Sequence, residues 1–124
     1  MQYPYDKNYS PPAPVIEFII SSLEGKESRC KGLIDTGVSM TCIPKKVIEV
    51  LGLPSVSSTT IKDFEGHTSD VAIYLANILL LNFNIKTKVL PIDSEIGLIG
   101  RDILNQMAIT LDGKNLVLEI EQTK

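Results

Sequence analysis

The chain has 124 residues but no tryptophan, a single histidine and only two cysteines. One histidine, with no Cys-x-x-Cys or His-x-x-x-His spacing anywhere, argues against a structural or catalytic metal site. Cys30 and Cys42 are too few for a disulfide framework and read as free thiols packed in strands. Charge of one sign is also scarce. The net charge is −3 and no basic stripe stands out, which argues against a nucleic-acid partner. The longest apolar run, "ANILLLNF", is far too short to span a membrane. The opening "MQYPYDKNYSPPAP" lacks the basic start and apolar core of a signal peptide. The expectation is a cytoplasmic protein with no membrane partner.

What remains is an ordinary globular composition, 44% apolar and 22% charged, at a length that suits one domain. Residues 1–13, rich in Tyr, Pro, Asn and Ser, show no apolar period and read as a flexible leader before a domain at 14–124. "VIEFIISSL" and "RCKGLID" read as strands joined at "EGKES". "MTCI" is a short strand. "PKKVIEVLGL" has proline at a helix start, Val47, Ile48 and Leu51 on one face, and Gly52 as a stop. Two long strands meet at "DFEGH", where Glu65-Gly66 suits a hairpin tip. "FNIKTKVLPI" alternates, with Ile85, Thr87 and Val89 on one face and Lys86 and Lys88 on the other. "SEIGLIGRDILNQM" holds a short apolar strand, a glycine and a short helix, and "AITLDGKNLVLEI" closes as a hairpin. Seven or eight strands with two short helices predict a mainly-β domain, a small barrel or a sandwich.

The stretch "GLIDTGVSMTCIP" carries the chemistry. Asp35 follows Leu33 and Ile34, so its carboxylate emerges beside the core. A buried lone carboxylate is costly unless hydrogen bonds hold it. Thr36 supplies a hydroxyl, and Gly37 a backbone free to bring its N–H close. Taken alone the triplet also fits an ordinary Asx-type turn.

A second element, "IGLIGRDIL", lies downstream beyond the long hairpin. The order apolar-apolar-Asp-Thr-Gly, then a hairpin, then apolar-apolar-Gly-Arg-Asp-apolar-Leu resembles the retropepsin-like aspartic proteases. The match runs from about Val15 to Ile120. The chain looks closest to the small single-domain prokaryotic members, not to two-lobed pepsins with two such motifs. The resemblance implies a closed retropepsin-like acid-protease barrel, active as a homodimer, and an aspartic endopeptidase acting on a peptide or protein substrate. No cofactor is implied. Asp35, Thr36 and Gly37 would be the catalytic triplet, with Thr36 making hydrogen bonds across the dimer. Val38 and Ser39, and the flap residues Asp63, Phe64, Glu65, Gly66 and His67, would contact substrate. Gly100, Arg101 and Asp102 would support the active-site loop. Val38 stands where alanine or serine is usual. Ser39 stands where retroviral enzymes have an aspartate paired with the arginine. Arg101 therefore needs another partner: Asp102, Glu49 or a backbone carbonyl.

Aspartic-protease chemistry needs two carboxylates sharing a proton, since like charges about 3 Å apart do not both ionise. The chain holds one Asp-Thr-Gly, and Asp93, Asp102 and Asp112 lack its context. The partner is expected to be Asp35 of a second copy across a two-fold axis. The rival reading is a non-catalytic dimerisation or peptide-binding module on the same fold, which Val38 and Ser39 keep open.

Overall fold

The structure, a computed structural model, describes residues 1–121. Ten strands and two short helices follow one another: β1 (Gln2–Pro4), β2 (Val15–Ser21), β3 (Glu27–Ile34), β4 (Cys42–Pro44), α1 (Lys45–Leu51), β5 (Ser55–Lys62), β6 (Thr68–Leu80), β7 (Phe83–Ile92), β8 (Gly97–Ile99), α2 (Arg101–Leu104), β9 (Ala108–Asp112) and β10 (Val117–Glu121).

The strands β2-β3-β8-β4-β7-β6 form a ring, closed where β6 pairs back onto β2 through Ile19↔Leu79, Ile20↔Ile78 and Ser21↔Asn77. The sequence left barrel and sandwich open, and the structure is a closed barrel. Strand alternation explains its filling. Along β2, Ile16, Phe18 and Ile20 are buried while Glu17 is exposed. Along β3, Cys30, Gly32 and Ile34 are buried between Lys31 and Leu33, which are not. Inward-facing positions thus recur every second residue, as a pleated strand requires. Ile43, Ala76, Ile78, Leu80, Val89 and Ile99 complete the interior with no exposed surface.

Two glycines set how tightly the barrel closes. A Cβ on Gly32 would lie 2.9 Å from the Ile99 side chain and 3.0 Å from Phe18. One on Gly97 would lie 2.6 Å from the backbone carbonyl oxygen of Cys42. That oxygen belongs to a strand and has nowhere to move. Gly97→Ala is therefore expected to destabilise the domain by about 2 kcal/mol, the cost of overpacking a filled site. Denaturant unfolding checks it, and an unchanged midpoint would contradict the packing described.

α1 starts at Pro44 and stops at Gly52, whose φ of 61° is the left-handed conformation glycine adopts at helix ends. Ile48 and Leu51 are buried and Val47 packs partly against the core, as the spacing predicts. β5 and β6 form the long hairpin. β5 lies outside the ring on the far edge of β6, and residues 60–70 are exposed throughout.

The N-terminal segment departs from expectation. Residues 1–13 were expected to be a flexible leader, but Gln2–Pro4 form β1, paired antiparallel with β10, and Asp6 bridges to Ala13. Tyr3 and Tyr5 pack against the core. Met1, Tyr3 and Tyr5 alternate with polar or proline residues, a period of two that the prolines disguise. β1, β10 and β9 make a separate three-stranded sheet. Its β9–β10 turn is clasped by Asp112, which accepts hydrogen bonds from the Asn115 side chain at 2.8 Å and the Asn115 backbone at 3.1 Å. These bonds, the side-chain one foremost, hold the Asp112 carboxyl below its usual range. The clasp therefore stabilises above the ordinary carboxylate pKa and is lost as pH falls through the depressed value.

Candidate active site

Asp35 sits where the chain leaves β3. Its neighbour in the ring, β8, runs parallel to β3 with Leu33↔Leu98 and Ile34↔Ile99 in register. The pairing extends one residue further, as the Asp35 N–H donates to the Ile99 carbonyl at 3.0 Å. Asp35 is thus anchored by its backbone to the fully buried Ile99 while its own side chain remains half-buried. The Gly37 N–H donates to Asp35 Oδ1 at 3.0 Å, so the carboxylate is fixed on one oxygen. A Cβ on Gly37 would itself approach that oxygen to 3.2 Å. Thr36 and Gly37 are exposed, at the apex of the loop.

α2 braces this loop from the other side. The Arg101 N–H donates to the Val38 carbonyl at 2.8 Å, and the Asp102 N–H to the Ser39 carbonyl at 3.3 Å. The Arg101 guanidinium donates through Nη1 to the Thr36 carbonyl at 2.8 Å. Of the three partners the sequence left open for Arg101, the structure shows a backbone carbonyl. Gly100 permits the approach, because a Cβ there would lie 2.9 Å from the Val38 carbonyl oxygen and 3.1 Å from backbone atoms of Met40 and Thr41.

Asp102 turns away from Arg101 towards a residue that sequence reasoning missed. Thr41 is fully buried. Its Oγ1 donates to Asp102 Oδ1 at 2.7 Å and accepts the Gly100 N–H at 3.1 Å. Its N–H donates to Asp102 Oδ2 at 3.0 Å. The Ile103 N–H adds a bond to Oδ1 at 2.9 Å. One threonine and one carboxylate thereby tie the start of β4 to the start of α2, on either side of the Asp35 loop. A hydroxyl inside the otherwise apolar "MTCI" was the available signal. Cys42 follows Thr41 directly. Burial pushes its thiol pKa up, with the Asp102 and Asp35 carboxylates adding to the rise, so it stays neutral. Cys30 and Cys42 are both free, as expected.

The predicted site residues therefore fall into two groups. Asp35, Thr36, Gly37, Val38, Ser39, Gly100, Arg101 and Asp102 form one hydrogen-bonded unit. Asp63, Phe64, Glu65, Gly66 and His67 form the tip of the β5–β6 hairpin, and no hydrogen bond or ion pair among the described residues joins them to the Asp35 loop. At that tip Asp63 Oδ1 accepts the N–H groups of Glu65 at 2.9 Å and His67 at 2.8 Å. Gly66 takes a φ of 87° that a residue with a side chain adopts only under strain. The Phe64 ring stands fully in solvent. The tip is a self-contained turn carrying an exposed aromatic ring.

This architecture is that of the retroviral proteases. The simian foamy virus (mac) protease is similar over 74% of this chain and 92% of its own, at 18% identity and a TM-score of 0.59. EIAV protease, solved in complex with the inhibitor HBY-793, is similar over 75% of this chain and 86% of its own, at 22% identity and a TM-score of 0.61. At such identities the likeness establishes the retropepsin-like fold. No protein-family model and no curated protein matches the sequence. No helix among the described residues is long and apolar enough to cross a membrane.

Proposed function

We propose that the protein is an aspartic endopeptidase of the small single-domain kind, working as a homodimer in the cytoplasm. The observation that carries this reading is the half-buried Asp35 carboxylate, held on one oxygen by Gly37 N–H and on a loop fastened by Ile99, Arg101 and the Thr41–Asp102 pair. That much fixation is more than a strand-ending turn needs. It is what a group held for chemistry needs.

In the proposed reaction two Asp35 carboxyls share one proton. The ionised member removes a proton from a water whose oxygen attacks the scissile carbonyl carbon. The protonated member gives its proton to the carbonyl oxygen, yielding a tetrahedral diol. As the diol collapses, one of its hydroxyls gives a proton to the ionised carboxylate, the C–N bond breaks, and the leaving nitrogen takes the proton of the other carboxyl, which restores the singly protonated pair. Thr36 would bond across the two-fold axis, and the Gly37 backbone would contact the carboxylate or the substrate. The peptide would lie extended beneath the β5–β6 hairpin, with Phe64 and His67 from the tip and Val38 and Ser39 from the loop around it.

The test is cleavage of an unfolded protein across a dilution series. Each chain supplies one Asp-Thr-Gly, so activity per chain should fall as the dimer dissociates. Constant activity per chain down to concentrations where the chain is demonstrably monomeric would overturn the shared-carboxylate reading. A folded dimer that cleaves nothing would favour the non-catalytic module.

A further inference from the structure

The barrel ring is closed, but one of its strands is covered only in part. β7 runs for ten residues, and β4, its neighbour on the side away from β6, meets only Leu90, Pro91 and Ile92. The backbone shows what the rest of β7 leaves open. The Leu75 N–H donates to the Pro54 carbonyl at 3.1 Å, so the odd-numbered residues of β6 from Leu75 onward direct their backbone groups towards β5 and β2. The even-numbered ones direct theirs to β7, where Ala76, Ile78 and Leu80 lie opposite Thr87, Ile85 and Phe83. Asn84, Lys86 and Lys88 therefore point N–H and C=O away from β6. Leu90, next in that series, agrees: its N–H donates to the Thr41 carbonyl at 3.0 Å, just ahead of β4. No strand among the described residues meets the outward groups of Asn84, Lys86 and Lys88. Only the Thr87 hydroxyl reaches one of them, the Lys88 carbonyl, at 3.4 Å.

The side chains along this edge alternate in character. Asn84, Lys86 and Lys88 are exposed on the outer face. Phe83, Ile85 and Thr87 are half-buried on the inner face, and Phe83 and Ile85 pack against the core without being covered by it. No carboxylate among the described residues pairs with Lys86 or Lys88, whereas Arg29 and Lys31 are paired with Glu17 and Asp6. Two uncompensated cations thus stand two residues apart on an open edge of a chain whose net charge is −3. Edge lysines guard against pairing with another edge of the same kind. Here an antiparallel second copy of β7 centred on Thr87 would set Lys86 against Lys88. The same charges favour an acidic strand.

We infer that the β7 edge receives an extended segment of another protein, antiparallel, with acidic residues at two alternate positions and a β-branched or apolar residue between them. The two acidic residues sit opposite Lys86 and Lys88. Each of these pairs exchanges two backbone hydrogen bonds, because both lysines point their backbone groups outward, and each sets a carboxylate beside an ammonium on the outer face. The residue between them lies over Thr87 and extends the apolar face of Phe83 and Ile85. This docking needs neither the Asp35 carboxylate nor a second copy of the chain.

The parity of the backbone makes a specific test. The probe is the capped peptide Thr-Glu-Val-Glu-Val-Thr at millimolar concentration, added to full-length Asp35→Asn so that it stays intact. Amide exchange should slow at Asn84, Lys86 and Lys88, while Ile85 and Thr87, already bonded to β6, should not change. Replacing both glutamates of the peptide with glutamine should weaken binding about fivefold, since each loses an opposed charge. The double variant Lys86→Glu and Lys88→Glu, altered only at exposed side chains, should bind the acidic peptide about tenfold or more weakly and bind Thr-Lys-Val-Lys-Val-Thr in its place. Unchanged exchange at the three amides overturns the docking, even where the peptide binds by charge alone. So does protection confined to Thr59–Lys62 of the hairpin, or equal binding of the glutamate and glutamine peptides.

Discussion

Asp35→Asn is expected to lower peptide hydrolysis by about a thousandfold or more, since it removes both the base and the shared proton. The fold should be retained. Asparagine keeps an oxygen to accept the Gly37 N–H now bound at 3.0 Å, and the backbone bond from residue 35 to Ile99 is untouched. The side chain is only half-buried, so exchanging a carboxylate for an amide of the same shape strands no charge. In a dimer the variant removes both members of the pair at once. Initial cleavage rates alongside a thermal melt separate the two effects. Cleavage at the parental rate would exclude Asp35 from the chemistry. A collapsed melting temperature would show that the carboxylate is structural.

The second large effect falls on Thr41. Thr41→Val keeps the shape and removes the hydroxyl. The buried Gly100 N–H then loses its acceptor at 3.1 Å, and Asp102 Oδ1 loses the shorter of its two hydrogen bonds, at 2.7 Å, keeping the one from the Ile103 N–H. An unsatisfied buried donor and a lost bond to a charged acceptor together cost about 3 kcal/mol. For a domain of this size that lowers the melting temperature by roughly 10 °C. Hydrolysis should fall as well, because Thr41 and Asp102 hold the flanks of the loop that presents Asp35. Thr41→Ser, which keeps the hydroxyl, should recover most of both losses. If valine and serine variants melt alike, the hydroxyl network is not what fastens the loop.

These two residues show what the sequence made legible. Asp35 stood out because a carboxylate after two apolar residues and before Thr-Gly is chemically odd, and because "LIGRDIL" downstream gave it a setting. The helix at Lys45–Leu51 was equally plain, with Pro44 before it and Gly52 after it. The hairpin tip at residues 63–67 followed from Glu65-Gly66. Thr41 was invisible for a physical reason: a threonine in a short strand is commonplace, and only the closed ring puts it opposite Asp102, 61 positions away. The partner of Arg101 was undecidable in the same way, since backbone carbonyls carry no signature in sequence. β1 was missed because Pro4 and the prolines after Ser10 read as loop, while the alternation of Tyr3 and Tyr5 that seats it against Leu118 spans too few residues to register. The ring closure of β6 onto β2 joins residues 56–60 positions apart, and no local pattern encodes such a pairing.

The central claim is that two Asp35 carboxyls from two chains act as one catalytic pair. A crystal structure of the dimer in solution conditions that support cleavage measures this directly. The two carboxyls should lie near coplanar, with their closest oxygens about 3 Å apart and sharing a proton. Two Asp35 side chains held several ångströms apart, with Val38 or the N-terminal segment filling the space between them, would contradict it.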